Sequence, residues 1–192
     1  RMNLRAGVIN GPKNPQFSFS TILTGEIRDR DAELLAEYKN EKGKTGVLLG
    51  VNARPLVGGR GKGDGLAFTL IPEEPIIAFR KFHFNEDHNW IYLHKNMRVY
   101  ANVDMWDDEG MGFRVHSVQG DTVSLQNIDV EIRRIRLDEI TSVLPYFPEI
   151  TGLFSAEAHY IQTEKDLQLS AEASIDELTY ERQRIGDVAL GA

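Results

Sequence analysis

No cysteine occurs in the 192 residues, which removes disulfide staples, thiolate metal sites and a cysteine nucleophile together and leaves the redox compartment open. No run of roughly 18 apolar residues is present to cross a bilayer as a helix, and no basic stretch followed by an apolar run marks a signal peptide. An excess of positive charge is missing too: 22 Lys and Arg stand against 29 Asp and Glu, for a formal charge of -7. The basic field on which nucleic-acid binding relies is absent, so no nucleic-acid partner is expected. Helical periodicity is scarce.

What the chain has in quantity is short alternating runs separated by Gly, Asp, Asn and Lys, the period-two pattern of half-buried strands. Phe17, Phe19, Thr21, Leu23, Gly25 and Ile27 share one parity and so one face of a strand. Ala32, Leu34, Ala36 and Tyr38 repeat the pattern, a turn at Asn40 to Gly43 follows, and Val47, Leu49, Val51 and Ala53 form the next face. Further strands are expected at 66–70, 79–84, 90–93, 97–105, 113–118 and 122–137, with a turn at 85–89. Parity switches between Ile128, Val130, Ile132 and Ile135, Leu137, which predicts a bulge at Arg133-Arg134. One short helix is expected over 138–144, capped by Asp138 and ended by Pro145. The β pattern then resumes through Phe154 to Tyr160 and Leu167 to Ile175.

The expected fold class is all-β: an antiparallel meander, elongated and open-sided or sandwich-like. Its organisation reads as a β segment over 1–137, a short helix and Pro-rich connection over 138–152, and further strands over 153–192. Because the alternation is still running at Ile185 to Ala192, the chain reads as a segment of something longer.

The motifs that could carry chemistry do not hold together. Gly58 to Gly65 is glycine-rich, but no frame satisfies G-x-G-x-x-G and no helix follows to offer its N-terminus to a phosphate, so a mobile surface loop is expected. Gly43-Lys44-Thr45 resembles the end of a phosphate-binding loop, yet the glycine required five residues earlier is Tyr38. His83, His88 and His94 lie near Glu86 and Asp87, but they fall on a strand, in a turn and beyond the next strand, so no metal site is expected. Asp104, Asp107, Asp108 and Glu109 surround Trp106 and lead into Gly110, as an exposed hairpin tip does, where carboxylates keep ordinary ionisation. No serine sits in a nucleophile frame. No catalytic residue, cofactor or metal ligand is assigned, and the chain is not expected to be an enzyme.

The C-terminal third carries Leu137-Asp-Glu-Ile140, Leu144-Pro145, Pro148-Glu-Ile-Thr-Gly152, Ala156-Glu-Ala158, Ile175-Asp-Glu-Leu-Thr-Tyr180 and Ile185-Gly-Asp-Val188. Together with Asn89-Trp-Ile-Tyr92 and Arg98-Val-Tyr-Ala101, these runs resemble the TamB (translocation and assembly module) and AsmA-like family of envelope proteins, over most of residues 80–192. The resemblance implies a periplasmic β region of a parent anchored in the inner membrane of a Gram-negative cell. It also implies an apolar groove that carries phospholipid acyl chains between the inner and outer membranes, or serves outer-membrane protein assembly. The family offers no catalytic residues to carry over.

Alternating apolar positions on consecutive strands would build such a surface, and Phe17, Phe19, Leu23, Leu34, Leu49, Val99, Ile128, Val130, Phe154, Tyr160 and Leu169 are the candidates for it. The same face could instead pack on a second sheet as a closed core. One alternative is therefore a carbohydrate- or protein-binding β-sandwich module, presenting Trp90, Tyr92 and Trp106 at loop tips. Another is a hydrolase, which requires His88 to meet Asp107, Asp108 and Glu109.

Overall fold

The computed structural model describes residues 2–9, 20–28, 31–40, 42–56, 64–118, 121, 123–142 and 148–192. Phe17 and Phe19, the glycines from 58 to 63, and the expected helix end at Leu144-Pro145 lie outside the described residues.

The chain folds as one open antiparallel sheet. Its strands are β1 (Met2–Ile9), β2 (Ser20–Arg28), β3 (Asp31–Lys39), β4 (Thr45–Leu56), β5 (Gly65–Ile77), β6 (Arg80–Lys81), β7 (His83–His94), β8 (Val99–Trp106), β9 (Gly112–Ser117), β10 (Gln126–Arg136), β11 (Ile150–Gln162), β12 (Leu167–Tyr180) and β13 (Gln183–Gly191). Each pairs with its neighbour in sequence, except that β7 follows β5 in the sheet and β6 pairs with β5 alone. The single helix among the described residues, α1 (Leu137–Ser142), lies between β10 and β11, and those two strands pair with each other, so the sheet continues on both sides of the 138–152 connection.

Local chemistry accounts for the turns. Asn40 accepts the N–H groups of Lys42 and Lys44 at 3.0 Å through Oδ1, and Gly43 takes a positive φ of 75°, closing the β3–β4 connection as its composition predicts. The parity switch in β10 is a bulge: the register with β11 shifts between Ile132 and Ile135, and Arg134 has φ 49°.

Four local expectations are corrected. Phe79 does not begin a strand; it lies in a turn with φ 65°, after which β6 folds back on β5. Residues 85–89 do not form a turn, because β7 continues through them with an irregular register between Phe84 and Asn89. Met97 belongs to the β7–β8 turn, with β8 starting at Val99. The helix starts at Leu137, so Asp138 lies in its first turn instead of capping it; a carboxylate there still faces the positive end of the helix.

Among the described residues no second layer of strands or helices covers the sheet. The accessible surface is 12976 Å², whereas a compact monomer of this mass exposes about 9,200 Å². Among the described residues the buried apolar side chains are few: Phe82, Met105 and Met111 form a cluster with Ile77, Phe84, Phe113 and Ile135 packed against it, and Ala67, Ala78, Ala101 and Val103 are buried besides.

Candidate functional site

Because residues opposite each other in an antiparallel ladder point to the same side, the register sorts the side chains into two faces. One lateral row runs Ile27, Ala32, Ala53, Phe68, Ile91 and Ala101, and is taken up again by Ser117, Ile128, Tyr160 and Leu169. Beside it run Val103, Val115, Val130, Ala158 and Ala171, and then Met105, Phe113, Ile132, Ala156, Ala173 and Leu190. In the N-terminal half, Leu23, Ala36 and Leu49 form one row and Gly25, Leu34, Val51 and Leu70 another. None of these rows contains a charged residue.

Every one of the groove candidates among the described residues lies on this face: Leu23, Leu34, Leu49, Val99, Ile128, Val130, Phe154, Tyr160 and Leu169. Most are half-buried by their in-plane neighbours, while Leu169 at 61% and Leu190 at 73% stand open. From β2 to β13 the strands of this face span ten spacings of about 4.8 Å, or about 48 Å. An uncharged surface of that length on one side of a sheet is the kind that ordinarily has an occupant.

The opposite face differs most in the C-terminal half. Asp104, Arg114, Glu131, Glu157 and Glu172 form one row across β8 to β12, and Asn102, His116, Asp129, His159 and Ser170 the next. A shallow depression of about 800 Å³ is lined by these groups, among them Arg114, His116, Asp129, Glu131 and His159. Arg133 reaches Asp104 at 2.5 Å across Gly112, where an added Cβ would lie 2.8 Å from the guanidinium. His116 Nδ1 and Arg133 Nε are buried without hydrogen-bond partners.

The charged cluster read as an exposed hairpin tip is partly something else. Asp107 is only 4% exposed; its Oδ1 accepts the N–H groups of Glu109 at 2.9 Å and Met111 at 2.8 Å, and its Oδ2 faces Arg80 Nη1 at 3.2 Å. Arg80 also bridges Glu109 at 2.8 Å and grips Glu139 of α1 with both Nε and Nη2. Hydrogen bonding to Glu139, then to Glu109, pushes the guanidinium further up, and Arg80 in turn holds the Glu109 carboxyl below its ordinary range. Asp108, by contrast, is 94% exposed, with His83 Nε2 3.3 Å away. His88 is exposed and forms no ion pair with Asp107, Asp108 or Glu109. Among the described residues, no group of three or more His, Asp or Glu side chains is placed to hold a metal ion.

The aromatic residues are not gathered at loop tips. Trp90 and Tyr92 stack at 4.5 Å within β7, on the face opposite the apolar rows, and Trp106 ends β8. Sequence reasoning missed the roles of Asn89 and Arg80, because the partners of each are remote in the chain: Leu70 for Asn89, and Asp107, Glu109 and Glu139 for Arg80. Among the described residues, no helix is long and apolar enough to cross a membrane. No family model, no curated protein and no solved structure matches this chain.

Proposed function

We propose that this segment is a scaffold whose uncharged sheet face carries phospholipid acyl chains, as part of a periplasmic structure of the TamB and AsmA-like kind whose parent is anchored in the inner membrane. The supporting observation is the run of apolar rows from β2 to β13, over which the described residues place no second layer. Burial contributes about 0.8 kcal/mol per CH₂, and a groove without polar anchors binds by chain length more than by headgroup. Assembly of outer-membrane proteins would use the same face to shelter apolar strands.

The test is direct. The purified chain is extracted into organic solvent and the extract analysed by mass spectrometry, alongside Ala158→Glu, which puts a charge on the apolar face, and Ser170→Glu, which puts one on the other. Phospholipid present in the parent and Ser170→Glu samples but lost from Ala158→Glu is the expected result. A lipid-free parent that also fails to take up a fluorescent fatty acid ends the proposal.

A further inference from the structure

The sheet has a seam. β5 and β7 are 13 and 12 residues long, yet they pair over only four positions, Gly65 to Phe68 with Ile91 to His94. On the apolar face, continuity across this point therefore rests on two side-by-side pairs, Leu66 with Leu93 and Phe68 with Ile91. Past them the strands part. The Asn89 side chain bridges to Leu70, accepting its N–H at 2.9 Å and donating to its C=O at 3.0 Å. Further along, β6 and the nearly inaccessible Phe82 occupy the fork, with Phe82 N–H donating to Pro75 O at 2.8 Å.

Contacts that close the fork come from both sides of the seam. Ile77 belongs to β5, while Met105, Met111, Phe113 and Ile135 belong to β8 and beyond; Met105 and Met111 form one buried cluster with Phe82, and the others pack against that cluster. Arg80 sits on β6, which pairs with β5, and its three carboxylate partners are on the β8–β9 connection and α1. It is thus an ionic bolt between the two arms of the sheet.

We infer that the β5–β7 seam is a hinge between the arm β1–β5 and the arm β7–β13, held closed by Arg80 on Asp107, Glu109 and Glu139. Resistance to bending across a sheet comes from the ladder bonds and packing that cross the line of bending, and here the ladder supplies four positions. Opening the bolt leaves the arms joined by the short ladder with its Lys95–Asp64 contacts, the Asn89–Leu70 bridge and the packing around Phe82, and so freer to change the angle at which their apolar faces meet.

The absence of cysteine allows spin labels to be placed without background. One pair spans the seam, Glu33→Cys on β3 with Gln168→Cys on β12; a reference pair, Met97→Cys with Gln168→Cys, lies within the second arm. Arg80→Ala is expected to broaden the distance distribution of the spanning pair at least twofold and to leave the reference pair unchanged. Unchanged distributions for both pairs, or equal broadening of both, overturn the hinge. Should Arg80→Ala not fold, Arg80→Lys keeps the charge, loses the two-pronged grip on Glu139 and gives a smaller broadening confined to the spanning pair. Hydrogen exchange on the unsubstituted chain is a second check: amides of 66–70 and 89–93 exchange about tenfold faster than those of 156–160. Equal protection of the two regions overturns it as well.

Discussion

The side-chain amide of Asn89 serves Leu70 as the strand partner that the sheet does not supply at that point, through hydrogen bonds of 2.9 and 3.0 Å. Asn89 is 8% exposed, so little water is at hand to replace it. Asn89→Ala leaves the Leu70 N–H and C=O unpaired, and the loss of stability is expected at about 2–4 kcal/mol. Asn89→Asp keeps the acceptor but turns a carboxylate oxygen toward the Leu70 C=O in a site only 8% exposed, and is expected to cost at least as much. The urea midpoint checks both; a midpoint unchanged in Asn89→Ala removes the role.

Gly65 answers to the same seam from its other end. A Cβ added there would lie 2.1 Å from the Leu93 carbonyl oxygen, which is backbone and cannot swing away. Gly65→Ala is therefore expected to separate β5 from β7 at its first pair and to speed hydrogen exchange at 65–68 and 91–94, with little change at 156–173. Uniform exchange behaviour across these segments would show that the contact relaxes without cost.

Parity carried most of the sheet. In β3, β4, β10, β11 and β12 every second residue is apolar, and the observed register puts those residues on one side. The break at Ile132 to Ile135 was visible for the same reason: a bulge shifts parity, and parity is what a sequence displays. Residues 72–89 were not legible. There β5 folds back through β6 and Asn89 takes a backbone's place, and from there Arg80 draws in Asp107, 27 positions further along the chain. Nothing local marks a carboxylate that a distant guanidinium will bury.

Whether the apolar face is covered shows in the price of polar substitutions along it. A leucine in a closed core costs about 2–5 kcal/mol when cut back, but Leu169 keeps 61% of its surface in solvent. Leu169→Ser is expected to cost about 1 kcal/mol or less, whereas Phe82→Ala, at 2% exposure in a buried cluster with Met105 and Met111, costs about 3–5 kcal/mol. Thermal or urea unfolding of the two variants measures the contrast. A loss above about 2 kcal/mol for Leu169→Ser would place another layer over the face in solution.

Asp121 gives the β9–β10 connection a pH dependence. Its carboxylate accepts Asn127 Nδ2 at 2.7 Å and the N–H groups of Ser124 and Val123 at 2.9 Å, and these bonds hold the carboxyl well below its ordinary range. Since the folded-state value is the depressed one, the contribution is complete above the ordinary carboxylate range near pH 4 and is lost as pH falls below it. Asp121→Ala lacks that contribution at every pH. The difference in urea midpoint between the parent and Asp121→Ala should shrink steadily from about pH 4 downward; a difference that stays constant to pH 2 contradicts the assignment.

The row of glutamates on the polar face makes the last prediction. Glu131 opposes Arg114 on one side and Glu157 on the other, and Glu157 opposes Glu172 in turn, so Glu157 has a like charge on both flanks. Directly opposed like charges destabilise a sheet by a few tenths to about 1 kcal/mol per pair. Glu157→Lys converts both repulsions to attractions and is expected to stabilise the chain by about 1 kcal/mol at low ionic strength, with the gain fading as salt is added; Glu157→Gln gives about half. The repulsive row also bears on whether another layer can cover this face, because a second sheet laid on it would have to desolvate four carboxylates, Asp104, Glu131, Glu157 and Glu172, with Arg114 and Arg133 as the arginines beside them. Glu157→Lys lowers that barrier, so sedimentation at rising concentration should show more self-association for the variant than for the parent. A variant that is neither more stable at low salt nor more prone to associate would mean that the glutamate side chains splay into solvent far enough for their charges not to interact.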